Sequence, residues 1–380
     1  MMRLKINQDT NKNRDMKEKV NDGLTIGLIT VVLNVSPIIT PKFTWSAIFS
    51  VFTVLINIRY FLSITPLKAK GILNIFLLIF LLYGCSAPPA MKHISGEKYL
   101  IVNGDDLCLD DKTDQAIITA YKNGILTSTS AFINLPGSVE KLKRIHNENP
   151  DLPIGLHLNL TFGKSVLNKD QVQGLLDNNG NFYDIDNILP HLADMPLNEV
   201  RSELNAQVEL FISTGIPVDH LDSHHHIVAL FTPFFQIVRE LAIKYNLPVR
   251  NPVPISIYNS IKLNVQGGGK SASLRKLILF GIAHPFKSIP LMSKIGPEAF
   301  IEQERIMKTT GIKSPDWFID CFYGNATYEC FISILSQLPD GVSEIMCHPG
   351  ISNDLIILSN KTIHKDLDSL NIKLVNYKHL

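Results

Sequence analysis

From Lys98 onward, short apolar runs alternate with longer stretches whose apolar residues recur at helical spacing, the pattern of repeated β-α units around a mainly parallel sheet. The pattern predicts strands at Tyr99–Asn103, Ile125–Ile133, Ile154–Leu160 and Glu344–Cys347, with a short strand beginning at Val249–Arg250, and Leu370–Asn376 closes the domain. Helices are predicted at Lys112–Asn123, with Gly124 as a left-handed cap, and at Ser138–Asn147, Leu197–Thr214 and Thr232–Tyr245. Val265–Pro297 is the least legible stretch, and Gly267-Gly268-Gly269 marks a loop there.

The N-terminal part follows a different pattern. Leu24–Thr40, Thr44–Ile64 and Gly71–Gly84 are apolar enough to suggest membrane segments, yet Asn34, Pro37 and Arg59 interrupt the first two and the third is short. The third reads better as a signal at 67–85, with Lys68 and Lys70 before an apolar core and Leu82-Tyr83-Gly84-Cys85 resembling a lipobox that would lipidate Cys85. The expected organisation is therefore a membrane or signal region at 1–85, a Pro-containing linker at 86–97, and one catalytic domain at 98–380. Lysine and arginine precede the apolar segments, which orients that domain outside the cytoplasmic membrane, with the N-terminal segment as its membrane attachment. An alternative start just before Lys68 leaves the orientation unchanged.

A net charge of +1 over 380 residues carries no signature of nucleic-acid binding, so partners have to be argued from sites. Cysteines lack C-x-x-C spacing, which argues against a zinc knuckle or a dithiol redox site.

The densest chemistry is Asp219-His220-Leu221-Asp222-Ser223-His224-His225-His226. Read as a strand, it points Asp222, His224 and His226 one way and His225 the other. A histidine-rich surface loop is the alternative. Other polar residues fall at the C-terminal ends of predicted strands, where loops of parallel α/β folds converge: Asp105 and Asp106, His157, and His348. Two imidazoles and a carboxylate suit a divalent ion with open positions, a second carboxylate suits a general base, and a further histidine suits a proton donor.

The motifs Leu100-Ile-Val-Asn-Gly-Asp-Asp106, Gly124-Ile-Leu-Thr-Ser-Thr-Ser130, Gly155-Leu-His-Leu-Asn-Leu-Thr161 with Gly163-Lys164, His220-Leu-Asp-Ser-His-His-His226, Phe322-Tyr-Gly324 and Met346-Cys-His-Pro349 occur in the order of the YdjC/ChbG carbohydrate deacetylases. The chain resembles that family from about Tyr99 to the C-terminus. The resemblance implies a distorted (β/α) TIM-like barrel and removal of N-acetyl groups from acetylated amino sugars such as N-acetylglucosamine in chito-oligosaccharides. It implies Asp106, His157 and His224 as ligands of one divalent metal ion, Mg or Zn, with Asp105 as base and His348 as acid or oxyanion partner.

Substrate contacts are open between two readings each. His226 would touch substrate or orient His224; Lys164 is a sugar contact or a surface lysine; Arg250 binds a hydroxyl or carboxylate, or sits in a structural salt bridge; Tyr323, like Trp317 and Phe318, stacks on a sugar or packs in the core. The chain departs from the family at Leu107-Cys108, where Phe-Gly is usual, at Val228 in place of a histidine, and in a short segment after Pro349. Two other functions remain: a metal-dependent hydrolase of another bond such as a phosphoester, and a non-catalytic envelope sugar-binding protein. Oligomeric state is left open.

Overall fold

A computed structural model describes residues 96–255, 291, 294–295, 297–322, 324–351 and 353–380. The expected membrane or signal region, Cys85, most of the linker, nearly all of 265–297 and Tyr323 lie outside the described residues.

The described residues fall in one compact unit, Ala87–Leu380. The chain runs β1 (Lys98–Leu107), α1 (Asp111–Asn123), β2 (Ser128–Ala131), α2 (Ser138–Glu148), β3 (Ile154–Leu158), α3 (Leu197–Ser213) and β4 (Val218–Ser223). It continues with α4 (Ile227–Leu230), α5 (Thr232–Tyr245), α6 (Pro297–Thr309), β5 (Trp317–Ile319), α7 (Tyr328–Ser336), β6 (Gly341–Cys347), α8 (Asp354–Leu358), α9 (Thr362–Ser369) and β7 (Ile372–Leu374). The α/β class expected from the pattern is observed. All seven strands pair in parallel in the order β4-β3-β2-β1-β6-β5, with β7 beside the start of β1.

The segment after α5 touches both outer strands. Val249 makes a single parallel bridge to Leu221 of β4, and Pro254 makes one to Phe318 of β5. The strand expected at Val249–Arg250 is thus reduced to one bridge, made by the Leu221 N–H donating to Pro248 and the Arg250 N–H donating to Leu221, while the Val249 N–H turns the other way, to the Lys313 carbonyl.

Helices lean on the sheet through regular apolar faces. In α1 the buried positions Thr113, Ala116, Ile117 and Ala120 follow helical spacing, and Asp110 caps it by accepting from the Thr113 N–H at 2.7 Å. Helix α3 buries Val200, Leu204, Val208 and Phe211, and on the same face Glu203 and Gln207. Those two polar residues are fully buried because they brace the loop after β3. Glu203 accepts the N–H groups of Val166 and Leu167, while Gln207 exchanges hydrogen bonds with the Asn159 backbone.

Three local expectations are corrected. The second strand is Ser128–Ala131 rather than Ile125–Ile133, since the Ile125 and Leu126 N–H groups are taken by Leu358 and Ala120 and cannot join the sheet. Gly124 is extended (φ −134°), not left-handed; a side chain there would meet the Leu358 carbonyl at 2.3 Å. The strand reading of 222–226 also fails. β4 ends at Ser223, and His224–His226 form a tight turn with positive φ at His225 (53°) and His226 (56°), so period-two facing does not apply.

Candidate metal centre

The paired aspartates sit on a bulge. Between Gly104↔Thr129 and Leu107↔Ala131 strand β1 carries one residue more than β2, and Asp106 takes φ 75°. Neighbours in a regular strand face opposite ways; this bulge lets both carboxylates serve one centre. Cys108, with φ 70°, is likewise left-handed.

Asp106 Oδ1, His157 Nε2 and His224 Nδ1 form a nearly equilateral triangle. Its sides are 3.2 Å (Asp106–His157), 3.1 Å (Asp106–His224) and 3.3 Å (His157–His224). Ligands about 2.1 Å from one ion lie roughly 3.0 Å apart at octahedral angles and roughly 3.4 Å apart at tetrahedral ones. Asp106 Oδ1 is buried and receives no well-directed hydrogen bond, a group that an ion would satisfy. The donor set therefore fits a divalent cation.

Asp222 orients His157. Its Oδ1 lies 2.7 Å from His157 Nδ1, with Ser130 Oγ at 3.2 Å from the same nitrogen, so a neutral His157 keeps its proton on Nδ1 and offers Nε2 to an ion in the triangle. Strand register makes this possible, because His157 and Asp222 are direct partners across β3 and β4. Phe132, fully buried, sets its ring edge-on to both imidazoles, with centroids 5.2 Å from His157 and 4.8 Å from His224.

A second group of potential ligands, Asp105, His157 and Asp222, already has its cation. Arg250 donates to both oxygens of Asp105 at 2.7 and 2.8 Å, reaches Asp222 Oδ2 at 2.9 Å, and donates from Nε to Glu344 at 2.8 Å. Asn103 adds a donor to Asp105 at 2.9 Å. Arg250 is buried, and of the two readings drawn from the sequence the structure shows the salt-bridge arrangement.

Charge states follow from these contacts. Burial pushes Asp105 and Asp222 upward, but Arg250 outweighs it and holds both below the usual carboxylate range. Burial also opposes ionised Asp106, and the imidazoles of His157 and His224 overcome it, holding it well below its ordinary value. Burial works against a charged His157, yet Asp222 and Asp106 drive it up to about 10. His224 and His226 are pushed down, chiefly by burial, His226 to about 3. In the ion-free protein the triangle therefore carries its proton on His157.

The remaining predicted residues are placed as follows. His348 follows β6, with Nε2 4.0 Å from Asp106 Oδ2. His226 packs edge-on to Phe318 at 5.5 Å. Lys164 is exposed, and its carbonyl accepts from Asn134. Trp317 and Phe318 are core residues. The sequence reading missed Phe132, Ser130 and the orienting role of Asp222; the Asp-x-His spacing at 222–224 was the available signal for the last.

A family model described as YdjC-like protein matches residues 99–379. The chain belongs to the YdjC-like family. Among similar proteins of that group, a carbohydrate deacetylase of Thermoanaerobacter pseudethanolicus is 31% identical over 300 residues, covering 74% of this chain and 99% of the relative. One from Clostridium beijerinckii is 29% identical with the same coverage. A solved structure from Enterococcus faecalis, provisionally assigned to cellobiose-phosphate cleavage, superposes with a TM-score of 0.58 at 25% identity, covering 75% of this chain and 99% of that one.

Proposed function

We propose that this YdjC-like chain is a metal-dependent carbohydrate deacetylase that hydrolyses the N-acetyl group of an acetylated amino sugar, N-acetylglucosamine in a chito-oligosaccharide being the model substrate. The observation that carries the reading is the triangle of Asp106, His157 and His224 beside Asp105, whose carboxylate is held by Arg250 and Asn103. The curated relatives, named carbohydrate deacetylases, support the substrate class.

When bound, a divalent ion, Mg or Zn, polarises the acetamide carbonyl and eases deprotonation of water. Asp105, locked in place by Arg250 and Asn103, takes the proton as water adds to the carbonyl carbon. His348, on the Asp106 Oδ2 side, donates a proton to the departing amine, so that water and amide become acetate and a free amino sugar. His226, next but one to His224 in the chain, and the exposed Lys164 are the substrate contacts in this reading. The parallel sheet, with its outer strands linked through 249–254, supports the distorted-barrel description. The basic residues ahead of the apolar N-terminal segments support a catalytic domain outside the cytoplasmic membrane.

The test is acetate release from a panel of acetylated amino sugars after chelation and after re-addition of Mg or Zn. Release that is lost and then restored is expected. Phosphate release from esters without acetate release from any sugar would overturn the assignment.

A further inference from the structure

Phe162 stands out from the other aromatics around the centre. It is 44% exposed, whereas Phe132, Trp317 and Phe318 are buried. Its ring centroid lies 6.1 Å from the His224 imidazole and 6.1 Å from Phe132, so an open apolar face borders a metal ligand.

The loop that carries it is fixed. Asn159 Oδ1 accepts the N–H groups of Thr161 and Phe162, and Asn159 Nδ2 donates to the Phe162 carbonyl at 2.6 Å. Asn134 donates to the carbonyls of Phe162 and Lys164 and accepts from Asn159. Gln207 clamps the Asn159 backbone from behind, and Gly163 turns the chain at φ 72°. An exposed phenyl on an unconstrained loop would fold back onto apolar surface. Here two asparagines hold it outward, which is the preorganisation that a binding face needs.

We infer that Phe162 is a stacking platform for the pyranose ring that carries the acetamido group, and therefore a specificity-determining residue. The inference rests on the deacetylase reading. Only the amide unit separates an acetyl oxygen from the sugar carbon that bears the nitrogen. A substrate whose carbonyl reaches the ligand triangle thus has its ring beside His224, where the Phe162 face is. A phenyl offers no hydrogen bond, so it selects the C–H face of the ring rather than a hydroxyl pattern.

Wild type, Phe162→Ala, Phe162→Tyr and Phe162→Trp are compared for acetate release from N-acetylglucosamine oligomers, with bound metal and thermal midpoint measured alongside. Phe162→Ala should raise KM about tenfold, the equivalent of about 1.4 kcal/mol, with kcat, metal content and midpoint close to wild type. Tyr and Trp should restore KM. An unchanged KM in the alanine variant, or a loss confined to kcat, overturns the platform. Saturation-transfer binding of the same oligomers separates the two readings. Binding without acetate release by wild type, weakened in Phe162→Ala, would reject the deacetylase assignment and support the platform; no binding and no release rejects both.

Discussion

Replacing Asp222 by asparagine tests the logic of the metal centre most directly, because it removes one charge while keeping the shape. Asp222 Oδ1 accepts from His157 Nδ1 at 2.7 Å, and Oδ2 faces Arg250 at 2.9 Å. An asparagine carbonyl can still accept the imidazole proton, but its NH2 would meet the guanidinium, donor against donor. Loss of such a carboxylate partner typically costs 10- to 100-fold in metal affinity, about 1.4–2.7 kcal/mol. The variant should therefore bind Zn 10- to 100-fold more weakly in a competition titration with a chromophoric chelator. Near-normal kcat should return at saturating metal, since Asp105 keeps both guanidinium bonds. The ion-free protein gives a second readout. His157 is raised above its ordinary value to about 10, so the stability that its proton brings is full below about pH 6.5 and is lost as pH rises through 10. Urea unfolding of the metal-free wild type should show that decline, and Asp222→Asn should flatten it. Unaltered metal affinity, together with an unaltered pH profile, would refute the claim that Asp222 fixes His157 for the ion.

Asp105→Asn should retain bound metal and lose turnover by about 10²–10⁴-fold, measured as acetate release against metal content; near-normal activity would remove Asp105 as the base. Asp106→Ala, His157→Ala and His224→Ala should each lower metal content and activity together. Gly155→Ala should destabilise the fold by about 1–3 kcal/mol in thermal or urea unfolding, because a Cβ there lies 2.4–2.6 Å from the His220 ring, itself stacked on Tyr377 at 3.8 Å.

The α/β class, and the cluster of carboxylates and imidazoles at strand ends, were legible because local pattern records both, whereas the choice of Asp106, His157 and His224 as ligands came from the resemblance to the YdjC/ChbG family. Apolar periodicity marks strands and helices, and charged or imidazole side chains at strand ends mark the side where loops converge. What was not legible depends on where individual backbone groups go. Ile125–Leu126 looks like strand whether its N–H groups face a neighbouring strand or, as here, the Ala120 and Leu358 carbonyls. The bulge at Asp105–Asp106 and the turn at His225–His226 place bulky residues at positive φ, and nothing in three consecutive histidines signals a turn. The role of Arg250 was undecided for a similar reason, since its partners Asp105, Asp222 and Glu344 lie up to 145 residues away in sequence.

Arg250 also has a consequence for how the domain comes apart. Its N–H is bound to Leu221 of β4, its side chain holds carboxylates from β1, β4 and β6, and its own segment touches β4 at one end and β5 at the other. Peeling that segment away would leave several carboxylates buried without their cation, a heavy penalty for a small opening. The seam between the outer strands and the centre thus belong to one cooperative unit, so that opening the seam and disarming the site are the same event.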